Sequence, residues 1–379
     1  MTGSSTADAV IVGAGIVGAA CAAELAAHGM RVMVLDAHGI GGGATAAGMG
    51  HIVAMNDSPA ELALSAYSRS LWLELAPQLR ARDAFVRCGT LWVAEDDAEW
   101  QAACALHDGF AAQRVPAQLL DAHALRACEP ALAEHMVGGL LVEHDSIVYA
   151  PAAAQWLLQQ GPGAPRIELR LGAQAVAVDA QRVTLADGAR IDAAHVIVAN
   201  GIGANALVPS LPIQPKKGHL LITDRYPGLI RHQLLELGYI NSAHHASGTS
   251  VAFNAQPRPT GQLLIGSSRQ FDTTDPTVEM PVLAQMLRRA ARYLPALPSL
   301  NGIRAWTGFR AASPDGLPLI GPAGDAAPGV WLAVGHEGLG VTTSLATARL
   351  LAAQITASAA PIPCEPYLPA RFPLGVCHA

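Results

Sequence analysis

The sequence predicts an α/β protein: a parallel-sheet domain visited three times by the chain, with a second domain built on an antiparallel sheet inserted into it. Three observations predict this. Residues 9–36 read as strand, glycine turn, helix and strand. Residues 195–201 and 330–340 each carry an apolar strand into a glycine turn, the second followed by a long helical pattern. Strand-like runs crowd between 214 and 268 with no helix among them. Strands separated by helices pair in parallel, whereas strands joined by short loops pair antiparallel.

The first unit begins with the apolar strand 10–12 and the turn Gly13-Ala14-Gly15-Ile16-Val17-Gly18. Gly13 allows the tight turn, Gly15 lets backbone approach a pyrophosphate, and Gly18 lets the helix pack on the strand. The helix directs its partly positive N-terminus at that phosphate position. After the strand 31–35, Asp36 stands eighteen residues beyond Gly18, where a carboxylate can accept from ribose hydroxyls. A glycine fingerprint alone is weak, but its strand and helix context makes it a dinucleotide site. NAD and FAD both remain open at this point.

Residues 39–51 hold six glycines and three alanines. They cannot build core, but can run close to a flat ligand without side chains in the way. Ser58-Pro59-Ala60-Glu61 reads as a capping box opening a helix to residue 79. Short strands at 90–94 and 139–142 flank a helical stretch. A helix at 152–160 and strands at 173–178 and 182–185 follow, with a hairpin turn at Asp187-Gly188. The apolar run His195-Val196-Ile197-Val198 ends in Asn200-Gly201. Further strands are expected at 218–223, 234–240, 249–254 and 262–266, a helix at 282–293, a strand at 330–334 and a helix at 341–355. The domains expected are 1–84 with 145–213 and 302–379 for the dinucleotide, and 85–144 with 214–301 for the substrate.

Composition narrows the function classes. With 51% hydrophobic and 14% charged residues, the chain has the material for two packed cores. A net charge of −6 with no basic block gives no sign of a nucleic-acid surface, an argument from bulk charge only. The apolar run 9–23 is too short and too glycine-rich to span a bilayer, and the leading MTGSSTAD lacks a basic signal start. A cytoplasmic protein is expected. Six cysteines occur without a C-x-x-C pair, so no metal site is expected; Cys364 and Cys377 are read as free surface thiols, with a pairing between them as the alternative.

Two further segments carry chemistry. In Trp306-Thr307-Gly308-Phe309-Arg310-Ala311-Ala312-Ser313-Pro314-Asp315-Gly316, the arginine stands among apolar positions ahead of a forced turn. That places a partly buried fork suited to bidentate carboxylate binding, while Asp315 is a turn residue. In Gly335-His336-Glu337-Gly338-Leu339-Gly340-Val341-Thr342, a glycine-rich helix start offers positive partial charge to an electron-rich ring.

Taken in order, the fingerprint, GGGATAAGMG, HVIVANG, PKKGHLLITD, LLIGSSRQ, FRAASPDGLPLIG and GHEGLGVTTS resemble the FAD-dependent D-amino acid oxidase-type family, which includes glycine oxidase and sarcosine oxidase. The resemblance covers nearly the whole chain. It implies a glutathione-reductase-type, Rossmann-like FAD domain and an inserted antiparallel-sheet substrate domain. FAD would lie along Gly13, Gly15, Ile16, Val17, Gly18, Asp36 and Ala37, then Gly43, Ala44, Thr45, Gly48, Met49 and Gly50. Val176, Asn200, Gly201, Gly338, Gly340, Val341 and Thr342 complete the cofactor set.

By the same resemblance, Arg310 grips a substrate carboxylate and holds Cα–H over flavin N5, and the neutral amine leaves as an imine. Tyr239 falls where the family places a tyrosine over the substrate, with a core aromatic as the alternative. His51 could touch substrate or flavin, and His336 is structural. No cysteine stands at 307–312, where covalently tethered members carry one, so the FAD is expected to be non-covalent. The ATAAGMGHIV loop resembles the flavin (beta) subunit of bacterial D-hydroxyproline dehydrogenase. This implies cis-4-hydroxy-D-proline or D-proline as substrate, and a possible hetero-oligomer with electron-transfer subunits, otherwise a homo-oligomer. Alternatives are an oxidase of glycine, sarcosine or D-amino acids releasing hydrogen peroxide, an NAD-dependent dehydrogenase, and a non-catalytic flavin subunit.

Overall fold

The computed structural model describes residues 7–238, 248–271, 273–324, 327 and 329–373. Its first sheet has a parallel core. The central strand Ala7–Val12 is flanked by Arg190–Val198 on one side and Val32–Asp36 on the other. Val330–Val334 and Ile167–Leu171 extend it outward, and Leu319–Pro322 closes one edge antiparallel. The strands at 167–171 and 319–322 were not foreseen. The former is half-exposed and carries charges at alternate positions, so it has no continuous apolar run to announce it.

The expected hairpin turn at Asp187-Gly188 joins Arg182–Leu185 to Arg190–Val198, whose strand starts five residues earlier than its apolar stretch. Both faces of the sheet are covered, as a parallel sheet requires. The alanine-rich helices Ile16–Ala27 and Gly340–Ile355 pack against each other over Ala9 and Ile11, joined by Ala150–Gln159 and Pro59–Leu75. Small side chains at Ala19, Ala22 and Ala346 allow that close approach. Val10, Val12, Met33 and Leu35 point to the opposite face.

The second sheet runs His336–Glu337, Gly302–Ala312, Gln214–Arg225, Gln262–Arg269, Ser250–Pro257, Gln233–Glu236, Thr90–Ala94, Gly138–Val142 and Gln118–Asp121. It is antiparallel except at one junction, where Gln233–Glu236 pairs in parallel with Thr90–Ala94. Two separate stretches of chain meet there, so no hairpin dictates their relative direction. The helix Met280–Tyr293 covers one face, burying Leu283, Met286 and Tyr293 against Phe253 and Ile265. The other face turns toward the glycine-rich loop 39–51.

The capping box is half formed. Ser58 Oγ accepts from Glu61 N at 3.1 Å, but Glu61 Oε2 accepts from Asp57 N instead of the cap residue's own amide. Among the described residues, no helix is long and apolar enough to cross a membrane, and no group of histidine, cysteine and acidic residues is arranged to hold a metal ion. Tyr239 and Cys377 lie outside the described residues.

Candidate active site

The central strand marks a switch point. The chain leaves Val12 toward Val32–Asp36 on one side, while the neighbour on the other side, Arg190–Val198, arrives from elsewhere. The crevice at the carboxyl ends of such strands is where α/β sheets bind ligands. Here it is made of glycine and backbone. Gly13 has φ +112°, and a Cβ on it would lie 2.7 Å from Ala199 O, while one on Gly18 would lie 2.0 Å from Gly13 O.

The helix that follows has no acidic residue in its first turn and no side-chain cap from Gly15. Thr45 Oγ1 accepts from Ile16 N at 3.0 Å, stitching the loop 43–50 to that helix start. Asp36 accepts from Ala14 N at 2.8 Å, His38 N at 2.8 Å and Gly39 N at 3.0 Å. Its carboxylate therefore braces the fingerprint turn and the start of the next loop. Leu171, its partner on the next strand, exposes close to half of its surface, as does Val176. Ala37, next to Asp36, is exposed as well. Asn200, which with Gly201 follows the neighbouring strand, has a buried Oδ1 without a partner among the described residues.

From Gly43 the chain makes one short helix, Ala44–Ala47, and then crosses the second sheet strand by strand. Ala47 lies against Gly308, where an added Cβ would come within 2.4 Å of the alanine methyl, and Trp306 Nε1 donates to Ala47 O at 3.1 Å. Met49 packs on Leu220 and Leu264, with its sulfur 3.2 Å from where a Gly266 Cβ would be. Gly50 fits under Val148 O, and His51 pairs with Ile147. The loop thus bridges the two sheets, with the glycines of the second sheet making room for it.

His51 is partly buried in a polar row. Gln233 Nε2 donates to Ser146 O at 3.0 Å and to Thr90 Oγ1 at 3.1 Å, which turns Gln233 Oε1 toward the His51 ring. His51 Nδ1–H donates to that oxygen, and Nε2 accepts from Asn254 Nδ2 at 3.2 Å. Burial, reinforced by the Arg258 charge, lowers its pKa to about 4. The imidazole is therefore neutral at physiological pH, with both nitrogens engaged by protein. That favours a positioning role over proton transfer. Arg258, half-buried, donates to Gln256 Oε1 at 2.7 Å and Met49 O at 3.4 Å. Gln233, Asn254 and Arg258 escaped the sequence reading because only the register of the second sheet brings them to the loop. His336 is buried, bonded to Thr347 Oγ1 at 3.0 Å, with burial lowering its pKa to about 4.

Arg310 sits on Gly302–Ala312, opposite Lys216. The sequence did not announce this strand, because glycines at 302 and 308 and half-exposed positions break its apolar alternation. Among the described residues the one hydrogen bond of its guanidinium is Nη1 to Ser268 O at 3.2 Å, with none from Nε or Nη2. Absent side chains at Gly218 and Gly338 make the space around it; a Gly218 Cβ would stand 2.7 Å from Nη1. Asp315 serves its turn, accepting from Ser313 Oγ and Leu317 N and pairing with Arg371.

Gly338 leads into the helix Gly340–Ile355, again without an acidic first turn or a side-chain cap. Thr342 Oγ1 donates to His51 O at 2.9 Å, so this second helix start is tied to the far end of the loop. A Cβ on Gly340 would lie 3.9 Å from Val17 on the first helix. Two helix starts without an acidic first turn, a glycine cradle and a buried orphan oxygen thus line one crevice. This arrangement fits an extended dinucleotide carrying a flat ring at its second end.

Comparison with known proteins identifies that ligand. The family described as DAO, FAD dependent oxidoreductase, matches residues 8–354. The chain is 29% identical over 422 residues to the hydrogen cyanide synthase subunit HcnC of Pseudomonas aeruginosa, covering 97% of this chain and 96% of that protein. It is 27% identical over 382 residues to the glycine oxidase of Pseudomonas putida, covering 95% and 97%. Among solved structures, glycine oxidase from Geobacillus kaustophilus superposes with a TM-score of 0.86 at 25% identity, over 97% of this chain and 99% of that one. The L-proline dehydrogenase from P. horikoshii shares the fold at a TM-score of 0.86 and 23% identity. The chain belongs to the DAO family and is an FAD-dependent oxidoreductase.

Proposed function

We propose that the protein dehydrogenates a small amino or imino acid to its imine, with cis-4-hydroxy-D-proline or D-proline as the substrate of choice. The observation that carries this reading is Arg310: a guanidinium with its Nε and Nη2 donors open, cleared of neighbours by Gly218 and Gly338, on the sheet that the loop 43–50 crosses. Such a fork holds a carboxylate in one orientation, and so fixes the Cα–H direction. The substrate's proline character rests on the ATAAGMGHIV loop and its resemblance to D-hydroxyproline dehydrogenase flavin subunits.

Bound FAD would supply the hydride acceptor. Gly13–Gly18 and Asp36 would hold its adenosine and pyrophosphate end, with Val176 and Asn200-Gly201 beside them. Gly48–Gly50 and the helix start at Gly340–Thr342 would line its ring. With threonine at 307 and alanines at 311 and 312, that attachment is non-covalent. The positive end of the Gly340–Ile355 helix favours negative charge on a ring lying against it.

The relatives named glycine oxidase support a second reading, in which oxygen takes the electrons and hydrogen peroxide is released. The relative named a synthase subunit supports action within a hetero-oligomer that passes electrons onward. Anaerobic mixing with a panel of D- and L-amino and imino acids should bleach the flavin with the true substrate. No bleaching by any carboxylate-bearing amine would sink the reading. Oxygen uptake against dye reduction, with the bleaching substrate, separates the two acceptors.

A further inference from the structure

Glu337 stands where its backbone discourages it. Its φ is +49°, in the left-handed region, although glycines lie at 335 and 338 on either side. Non-glycine residues rarely settle there, and strain of this kind gathers at functional positions. Glu337 pairs with Ala311, one residue from Arg310, on the short edge strand His336–Glu337. The next residue, Gly338, packs on the same guanidinium; a Cβ there would be 3.6 Å from Arg310 Nε.

The side chain is 16% exposed, and its two carboxylate oxygens differ. Oε2 accepts from the N–H of Gly338. Oε1 is buried without a hydrogen-bond partner, and Lys216 Nζ approaches it to 3.5 Å. That oxygen is held by an ion pair alone, so its hydrogen-bond accepting capacity is not used within the protein. Burial pushes the Glu337 pKa up, but Arg310, Arg269 and Lys216 with the Gly338 amide together bring it below the ordinary value. An ionised acceptor thus lies beside an open cationic fork. In an α-amino or α-imino acid, one carbon separates the carboxylate from the N–H group.

Building on the amino-acid reading above, we propose that Glu337 recognises the substrate's amine: Oε1 accepts its N–H while Arg310 holds its carboxylate. The pair then selects acids that carry a nitrogen donor on the α-carbon, and disfavours acids without one.

Two planar acids without an oxidisable Cα–H test this: pyrrole-2-carboxylate, with a ring N–H, and 2-furoate, with a ring oxygen in its place. Dissociation constants come from perturbation of the visible flavin spectrum of the FAD-loaded protein, and stability from thermal melting of the same samples. The wild type should prefer the pyrrole by about ten- to a hundredfold. Glu337→Gln and Glu337→Gly should bring the two affinities to within roughly threefold of each other. Glu337→Gly should also melt at or above the wild-type temperature, because glycine relieves the left-handed backbone. A lost preference in a fully stable Glu337→Gly protein separates ligand recognition from a structural role. Equal wild-type affinity for the two acids, or a preference unchanged in both variants, overturns the assignment while leaving the Arg310 role standing. Binding of neither acid overturns the amino-acid reading and the assignment with it.

Discussion

At the residue scale, the carboxylate role proposed for Arg310 rests on surroundings defined by what is missing. Glycines at 218, 308 and 338 clear the guanidinium and the loop beside it, and Ser268 O orients Nη1. A lysine at this position keeps the charge but loses the fork, so Arg310→Lys should lower kcat/KM by roughly a hundred- to a thousandfold. Steady-state kinetics with the bleaching substrate checks it, and a loss under about fivefold would remove Arg310 from the carboxylate site. His51, by contrast, is a neutral ring held at both nitrogens. Its type suggested a contact with substrate or flavin, and its partners favour the task of keeping the loop in register with the second sheet.

At the scale of elements, the fingerprint turn has no slack. Gly18→Ala would push a methyl to 2.0 Å from Gly13 O, at the junction of the first strand and its helix. We expect the purified variant to lose most of its FAD, read as the ratio of flavin to protein absorbance; full flavin content would contradict the close packing. A different junction is ionic. Arg69 on the helix Pro59–Leu75 pairs with the fully buried Asp145 at 2.7 Å, and Asp145 also accepts from Ala54 N at 3.2 Å. Burial lifts the Asp145 pKa to about 6 even with the arginine beside it. Removing the cation strands that carboxyl, so Arg69→Met should cost about 3–5 kcal/mol in urea unfolding. A cost under roughly 1 kcal/mol would mean that the site relaxes or hydrates.

For the whole molecule, stability should depend on pH through buried carboxyls. Glu61, in the first turn of the helix Pro59–Leu75, has its pKa pushed up to about 7 by burial first and by Asp57 next. A carboxyl raised in the folded state contributes stability that is fully present below its unfolded value of 4.5 and lost as pH rises through 7. Glu61→Gln is uncharged throughout, and its amide oxygen can still accept from Asp57 N. Its melting temperature should therefore gain on the wild type as pH rises from about 5 to about 8. A difference that stays constant across that range would show that Glu61 is already ionised at low pH.

Local signals determined what is local. The turn Gly13–Gly18, the strand running into Asn200-Gly201, the helix start at Gly340 and the FAD family could all be read from the sequence, because a phosphate turn and a buried parallel strand each need particular residues at fixed spacing. The strand 319–322 and the strand bearing Arg310 could not, since their weak apolar alternation makes sense only against neighbours far away in the chain. Tertiary structure alone brought Gln233 and Asn254 to His51, Arg69 to Asp145, and Glu337 to Arg310. Cross-strand register and long-range ion pairs follow from packing two sheets against one loop, and no spacing along the chain encodes that distance.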